Sequence, residues 1–183
     1  MPKAIRLLAP LALTWLATPA PGADPAPPVL APATIARFYE QAAAFAAQRS
    51  GIALDLPGRI PPPAPGQHLT AWADPALNRR RHAAISFDTT PDCHGAHYCS
   101  LGAVTVSPAA PQPMRDLHGM LITRRLPDGT LFTPEHAMAD TFPAQLQWRE
   151  GSLTYTVTWS GLPPQRAEAI LAAVRRSAGA LPG

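Results

Sequence analysis

The chain has 183 residues, 46% of them hydrophobic and 15% charged, which suits one domain with a real apolar core. Its formal net charge of +3 includes Lys3 and Arg6 of the N-terminal segment; the remainder carries 13 basic against 12 acidic residues. A near-neutral body excludes the electrostatic footprint of a nucleic-acid binder, and Arg79-Arg80-Arg81, its one basic run, reads as a solvated turn.

Residues 1–23 have the three-part pattern of a secretory signal. Lys3 and Arg6 precede an apolar run from Leu7 to Ala17, and small residues and prolines follow to Ala23. The run is about 11 residues against the roughly 20 needed to span a bilayer, so cleavage after Gly22 or Ala23 is expected rather than anchoring. No integral span is expected in the mature chain. Residues 24–33 read as a tether, and residues 34–183 as a single α+β domain. The 24 prolines cluster at the signal junction, in Pro57–Pro65 and in Pro108–Pro113, marking stiff connections between periodic stretches.

A helix is expected from Thr34 to Arg49, with Ile35, Phe38, Ala42, Phe45 and Ala46 on one face and Gly51 as a left-handed stop. Ile52–Leu56 reads as a short strand. Ala84–Asp88 and Gly102–Ser107 are strand candidates, and Met120–Leu126 and Thr130–Thr133 flank an Asp128-Gly129 turn. The clearest element is the last hairpin. Ala144, Leu146 and Trp148 alternate with polar residues, as do Leu153, Tyr155, Val157 and Trp159. A turn at Glu150-Gly151 would pair Trp148 with Leu153 and Leu146 with Tyr155. A closing helix, Pro164–Ser177, carries an apolar stripe of Ala167, Ile170, Leu171, Val174 and Ala178. The expected fold is an antiparallel sheet of about five to six strands, packed with an N-terminal and a C-terminal helix.

Between two strand candidates lies Asp92-Cys93-His94-Gly95-Ala96-His97-Tyr98-Cys99. In an oxidising envelope, Cys93 and Cys99 are most simply a disulfide. A zinc or copper site and a redox-active pair compete with that reading, although all four Cys and His ligands fall within seven residues and the spacing is wider than C-x-x-C. With the disulfide formed, His94 and His97 are weak candidates for a surface metal. Trp148, Tyr155 and Trp159 face one way and read either as core or as the wall of a ligand cleft. No Gly-x-Ser-x-Gly elbow occurs, and the pairs Asp116/His118 and Glu135/His136 read as turn pairs rather than acid/base couples.

Gly51–Pro63 (GIALDLPGRIPPP), the Cys93–Cys99 loop and the ending from Leu153 to Ala178 (LTYTVTWSGLPPQRAEAILAAVRRSA) resemble a family of uncharacterised exported bacterial proteins. The C-terminal third is also similar to a domain of unknown function in anti-sigma-like regulators. Over residues 34–178 the resemblance implies an α+β fold and a periplasmic or secreted location; it transfers no catalytic residue. The expected function is a non-enzymatic binding or interaction module without a cofactor, whose partner is an envelope protein or a small apolar ligand. Its rivals are a metal-handling protein using the loop histidines and an enzyme with a loop-built site.

Overall fold

A computed structural model describes residues 27–96, 98–137 and 140–179. The expected signal, residues 1–23, and His97 lie outside the described residues. In chain order the elements are β1 Ala31–Pro32, a 3-10 turn Ala33–Ile35, α1 Tyr39–Ser50, β2 Arg59–Ile60, β3 Thr70–Trp72, β4 Ala83–Asp88, β5 Ser100–Ser107, β6 Arg124–Arg125, β7 Leu131–Thr133, β8 His136–Ala137, β9 Thr141–Phe142, β10 Ala144–Glu150, β11 Leu153–Trp159 and α2 Ala167–Arg176. The fold is α+β, as expected. Its main sheet has seven strands, more than expected, in the order β3-β4-β5-β11-β10-β7-β6, with antiparallel neighbours throughout. β1 with β2 and β8 with β9 form two separate two-stranded sheets.

The sheet is organised by rows of side chains that alternate between its faces. Ile85, Val104, Val157, Leu146 and Phe132 are successive cross-strand partners, and all are buried. One row toward the hairpin turn of β10 and β11 stand Ala83, Val106, Tyr155 and Trp148; one row the other way stand Phe87, Gly102, Trp159 and Ala144. Two helices cover this face, α1 over β3 and β4 and α2 over β10 and β11. Ala167, Ile170, Leu171 and Val174 of α2 and Tyr39, Ala42 and Ala46 of α1 join one continuous core. Gly102 has a packing reason to be glycine: a Cβ there would stand 2.2 Å from the Thr158 carbonyl oxygen and 2.7 Å from Cε3 of Trp159. The missing side chain lets the indole lie across β5.

The final hairpin forms with the expected faces, but its register is corrected. Trp148 pairs with Tyr155, Leu146 with Val157 and Glu150 with Leu153, so the turn residues are Gly151 and Ser152. A turn at Glu150-Gly151 would ask a glutamate to take positive φ; moving the turn on by one residue gives that conformation, φ 56°, to glycine. Because the shift moves one residue on each strand, the same side chains still face the core.

Other expectations shift for tertiary reasons. The N-terminal helix starts at Tyr39, not Thr34, because Arg37 is drawn to the sheet edge. Its N–H donates to the Leu69 carbonyl at 3.1 Å, and its carbonyl accepts from the Ala71 N–H at 2.8 Å. Phe38 then turns the chain with φ 69°, and the helix begins in a new phase. The buried stripe is therefore Tyr39, Ala42, Ala46 and Ser50, while Ile35 and Phe38 stand 53% and 41% exposed. Gly51 ends the helix at φ 66°, as expected.

Ile52–Leu56 forms no strand. Ile52 and Leu54 still pack against the core, but the segment has no ladder partner. The Met120–Leu126 candidate reduces to Arg124–Arg125 beside β7. The last helix runs only from Ala167, after a turn in which the Arg166 N–H donates to the Pro163 carbonyl.

Candidate functional site

Cys93 and Cys99 are joined in a disulfide, with their Cα atoms 5.8 Å apart. The bridged loop folds back over the face of the sheet that the helices leave open. There Trp72, Ser86 and Asp88 project, as alternation along β3 and β4 requires. The His94 ring stacks on Trp72 at 5.0 Å, and the Gly95 N–H donates to Asp88 Oδ2 at 3.1 Å. Asp88 is 1% exposed, and its Oδ1 has no hydrogen-bond partner. Burial raises its pKa above the usual carboxylate range, opposed by the hydrogen bonds from Gly95 and Ser100 and by the nearby His94. The carboxyl thus anchors the loop from beneath, shielded from solvent. Tyr98, at the loop's outer edge, is 90% exposed.

The loop is also tied to the strand end before it. Thr89 donates its N–H at 2.8 Å and its hydroxyl at 3.2 Å to the Cys99 carbonyl, and the Cys93 N–H donates to the Thr90 carbonyl. Among the described residues, no group of three or more His, Cys, Asp or Glu side chains is placed to hold a metal ion. The His94 ring is engaged by the Trp72 indole, and His97, the other candidate ligand, lies outside the described residues.

The three aromatic residues of the predicted cleft separate into two neighbourhoods. Trp148 and Tyr155 stack on each other at 5.3 Å, beneath the Arg175 guanidinium, which stands over the Trp148 ring. The Tyr155 hydroxyl accepts from the Asp55 N–H at 3.4 Å, and burial raises its pKa. Trp159 lies at the other end of β11. It packs against Phe87 at 5.4 Å and lines a cleft of about 470 Å3. Leu101, Leu162 and Ile170 form further walls of that cleft, and Pro61–Pro63 and Val29 form its rim. Leu101 reaches it from a β-bulge: Phe87 pairs with Gly102 and Asp88 with Ser100, leaving Leu101 without a partner on β4. The Ser160 N–H donates to the Leu101 carbonyl at 2.7 Å, which closes the cleft's floor.

A second cleft, of about 550 Å3, lies beyond the same proline loop and shares Pro63 and Gln67 with the first. Ile35, Arg37, Leu69, Thr90 and Pro91 line it. Sequence periodicity assigned Ile35 to a helix face and missed both this cleft and β3. The one signal for it was an apolar Ile35 left stranded once the helix starts late.

The acid and histidine of each pair take part in turn, loop and ring contacts. Asp116 Oδ1 accepts from the His118 and Met120 N–H groups, shaping a turn. Glu135 accepts from the Gly161 N–H at 2.7 Å, while His136 stacks on Phe142. Arg79–Arg81 form an exposed turn closed by the Arg79–His82 bridge. Among the described residues, no helix is long and apolar enough to cross a membrane. No protein-family model matches the chain, and neither a curated protein nor a solved structure matches it.

Proposed function

We propose that this chain is an exported, disulfide-stapled binding module of the bacterial envelope, periplasmic or secreted, that holds a small apolar ligand in the Trp159 cleft. The observation that carries the reading is the cleft itself. A volume of about 470 Å3 walled by Trp159, Leu101, Leu162 and Ile170 falls in the size range of small-molecule sites, which are mostly apolar and concave. The resemblance to exported bacterial proteins and the disulfide support the location. Trp148 and Tyr155 serve the reading indirectly, by holding the far end of β11 rigid against Arg175 and Asp55.

The test is a titration of the envelope-purified protein with the neutral apolar probe N-phenyl-1-naphthylamine, alongside its intact mass. A mature chain beginning near Ala23 or Asp24, with saturable fluorescence enhancement and broadening or shifts at Leu101, Trp159 and Gly161, is expected. Absence of saturable binding up to the probe's solubility limit sinks the ligand; an uncleaved N-terminus sinks the export.

A further inference from the structure

We infer that the cleft beside Arg37 is a second binding site, one that takes an anion with an apolar body, a carboxylate on a short hydrocarbon chain being the class that fits. The inference extends the binding-module reading but does not depend on the Trp159 cleft.

The cleft combines apolar surface with the cationic side chain of Arg37, and Gln67 and His68 also line it. Leu69 is buried at its base, Ile35 is 53% exposed, and Pro63 and Pro91 add rigid walls. An exposed isoleucine beside two prolines is apolar surface that a hydrocarbon chain would remove from water. Among the described residues, no acidic side chain lines the cleft and the Arg37 guanidinium has no carboxylate partner. Its central carbon stands 4.5 Å from the centre of the Phe38 ring. A guanidinium held on a ring face keeps its N–H donors in its own plane, where a carboxylate can take two of them.

Both walls are held in place, which lowers the ordering cost of binding. On one side the Arg37 backbone is locked to Leu69 and Ala71 by the two hydrogen bonds that delay α1. On the other, Thr89 and Thr90 are tied to the disulfide loop, and the Thr70 hydroxyl donates to the Thr90 carbonyl at 3.2 Å. This gives the disulfide a consequence beyond stability: it holds the wall facing the arginine. The volume of about 550 Å3 accepts a ligand larger than a simple anion, so charge and hydrocarbon must be recognised together.

The test compares octanoate, octanol and acetate as probes of the oxidised protein, followed in 1H–15N spectra, with the variants Arg37→Gln and Arg37→Lys. Octanoate is expected to shift the amides of Ile35, Arg37, Leu69 and Thr90 and to bind at least about tenfold more tightly than octanol, with acetate weaker still. Arg37→Gln should erase the octanoate advantage and leave octanol unchanged, while Arg37→Lys keeps part of it. An unchanged thermal midpoint separates lost binding from lost fold; should Arg37→Gln melt lower, the ratio of octanoate to octanol affinity in Arg37→Lys carries the test. Equal affinity for octanoate and octanol, or an Arg37→Gln variant that binds octanoate as the parent does, overturns the assignment. Shifts confined to Trp159 and Leu101, or no saturable shift at all, overturn it; the first cleft stands or falls on its own naphthylamine titration.

Discussion

The two faces of the main sheet are held by different means. On one, two helices bury a continuous apolar layer from Tyr39 and Phe87 through Val157 to Leu171. On the other, loops lie over strands and are fastened by polar contacts. Gly95 is held on Asp88, Gln112 donates its N–H to Gln147, and Thr123 and Thr133 share a hydroxyl hydrogen bond at 2.6 Å. Apolar burial is additive in area and indifferent to which partner supplies it. Polar fastening works only while each donor keeps its acceptor. The helical face therefore carries the stability and supplies Trp159 and Ile170 to the first cleft, and the loop face sets the position of Thr89 and Thr90 in the second.

Three changes sharpen or break this contrast. The largest effect is expected at Trp159, which is 4% exposed and lies across Gly102. Trp159→Ala should lower unfolding free energy by about 3–5 kcal/mol, read from the urea midpoint. A loss below about 1 kcal/mol would mean that the helix-covered layer does not carry the fold.

Next comes the staple. Replacing both Cys93 and Cys99 by Ala should cost about 2–2.5 kcal/mol, because the short loop regains its freedom in the unfolded chain. The same change should loosen Thr89 and Thr90, seen as faster amide exchange there, while Val157 and Leu146 exchange as before in proportion to global stability. Uniform acceleration with no local component would erase the distinction between the faces.

The smallest effect is a pH dependence. Asp88 has its folded pKa raised by burial, so the folded protein holds that proton more tightly than the unfolded chain does. Its contribution to stability is complete below the unfolded carboxylate pKa and is lost as pH rises through the higher folded value. Asp88→Asn removes this term. Urea unfolding across the acid range should show the variant gaining on the parent as pH rises; parallel curves would show that the carboxyl titrates alike in both states.

How much was legible in the chain differs along its length. The β10–β11 hairpin and α2 were readable because their patterns are local. Strict alternation from Ala144 to Trp159 sets both faces, and a stripe at helical spacing marks Ile170, Leu171 and Val174. The turn position was misjudged by one residue because either placement satisfies alternation, and only the conformational preference of Gly151 separates them. The region from Ala33 to Trp72 was read least well. Its order comes from partners far away in sequence: Arg37 hydrogen-bonds to Leu69 and Ala71, Pro57 bridges to Ala178, and Tyr39 donates to the Pro57 carbonyl at 2.7 Å.

The sequence by itself determined the class of fold, the faces of the long strands, the amphipathic last helix and the chemical readiness of two nearby cysteines to pair, since each depends on residue type and short-range spacing. Tertiary structure alone decided where the first helix begins, that Trp159 parts company with Trp148 and Tyr155, and that Arg37, Leu69 and Thr90 surround one cleft. Those outcomes rest on edge-strand hydrogen bonds and a β-bulge between segments tens of residues apart, and no local pattern encodes which distant backbone group a free N–H will meet.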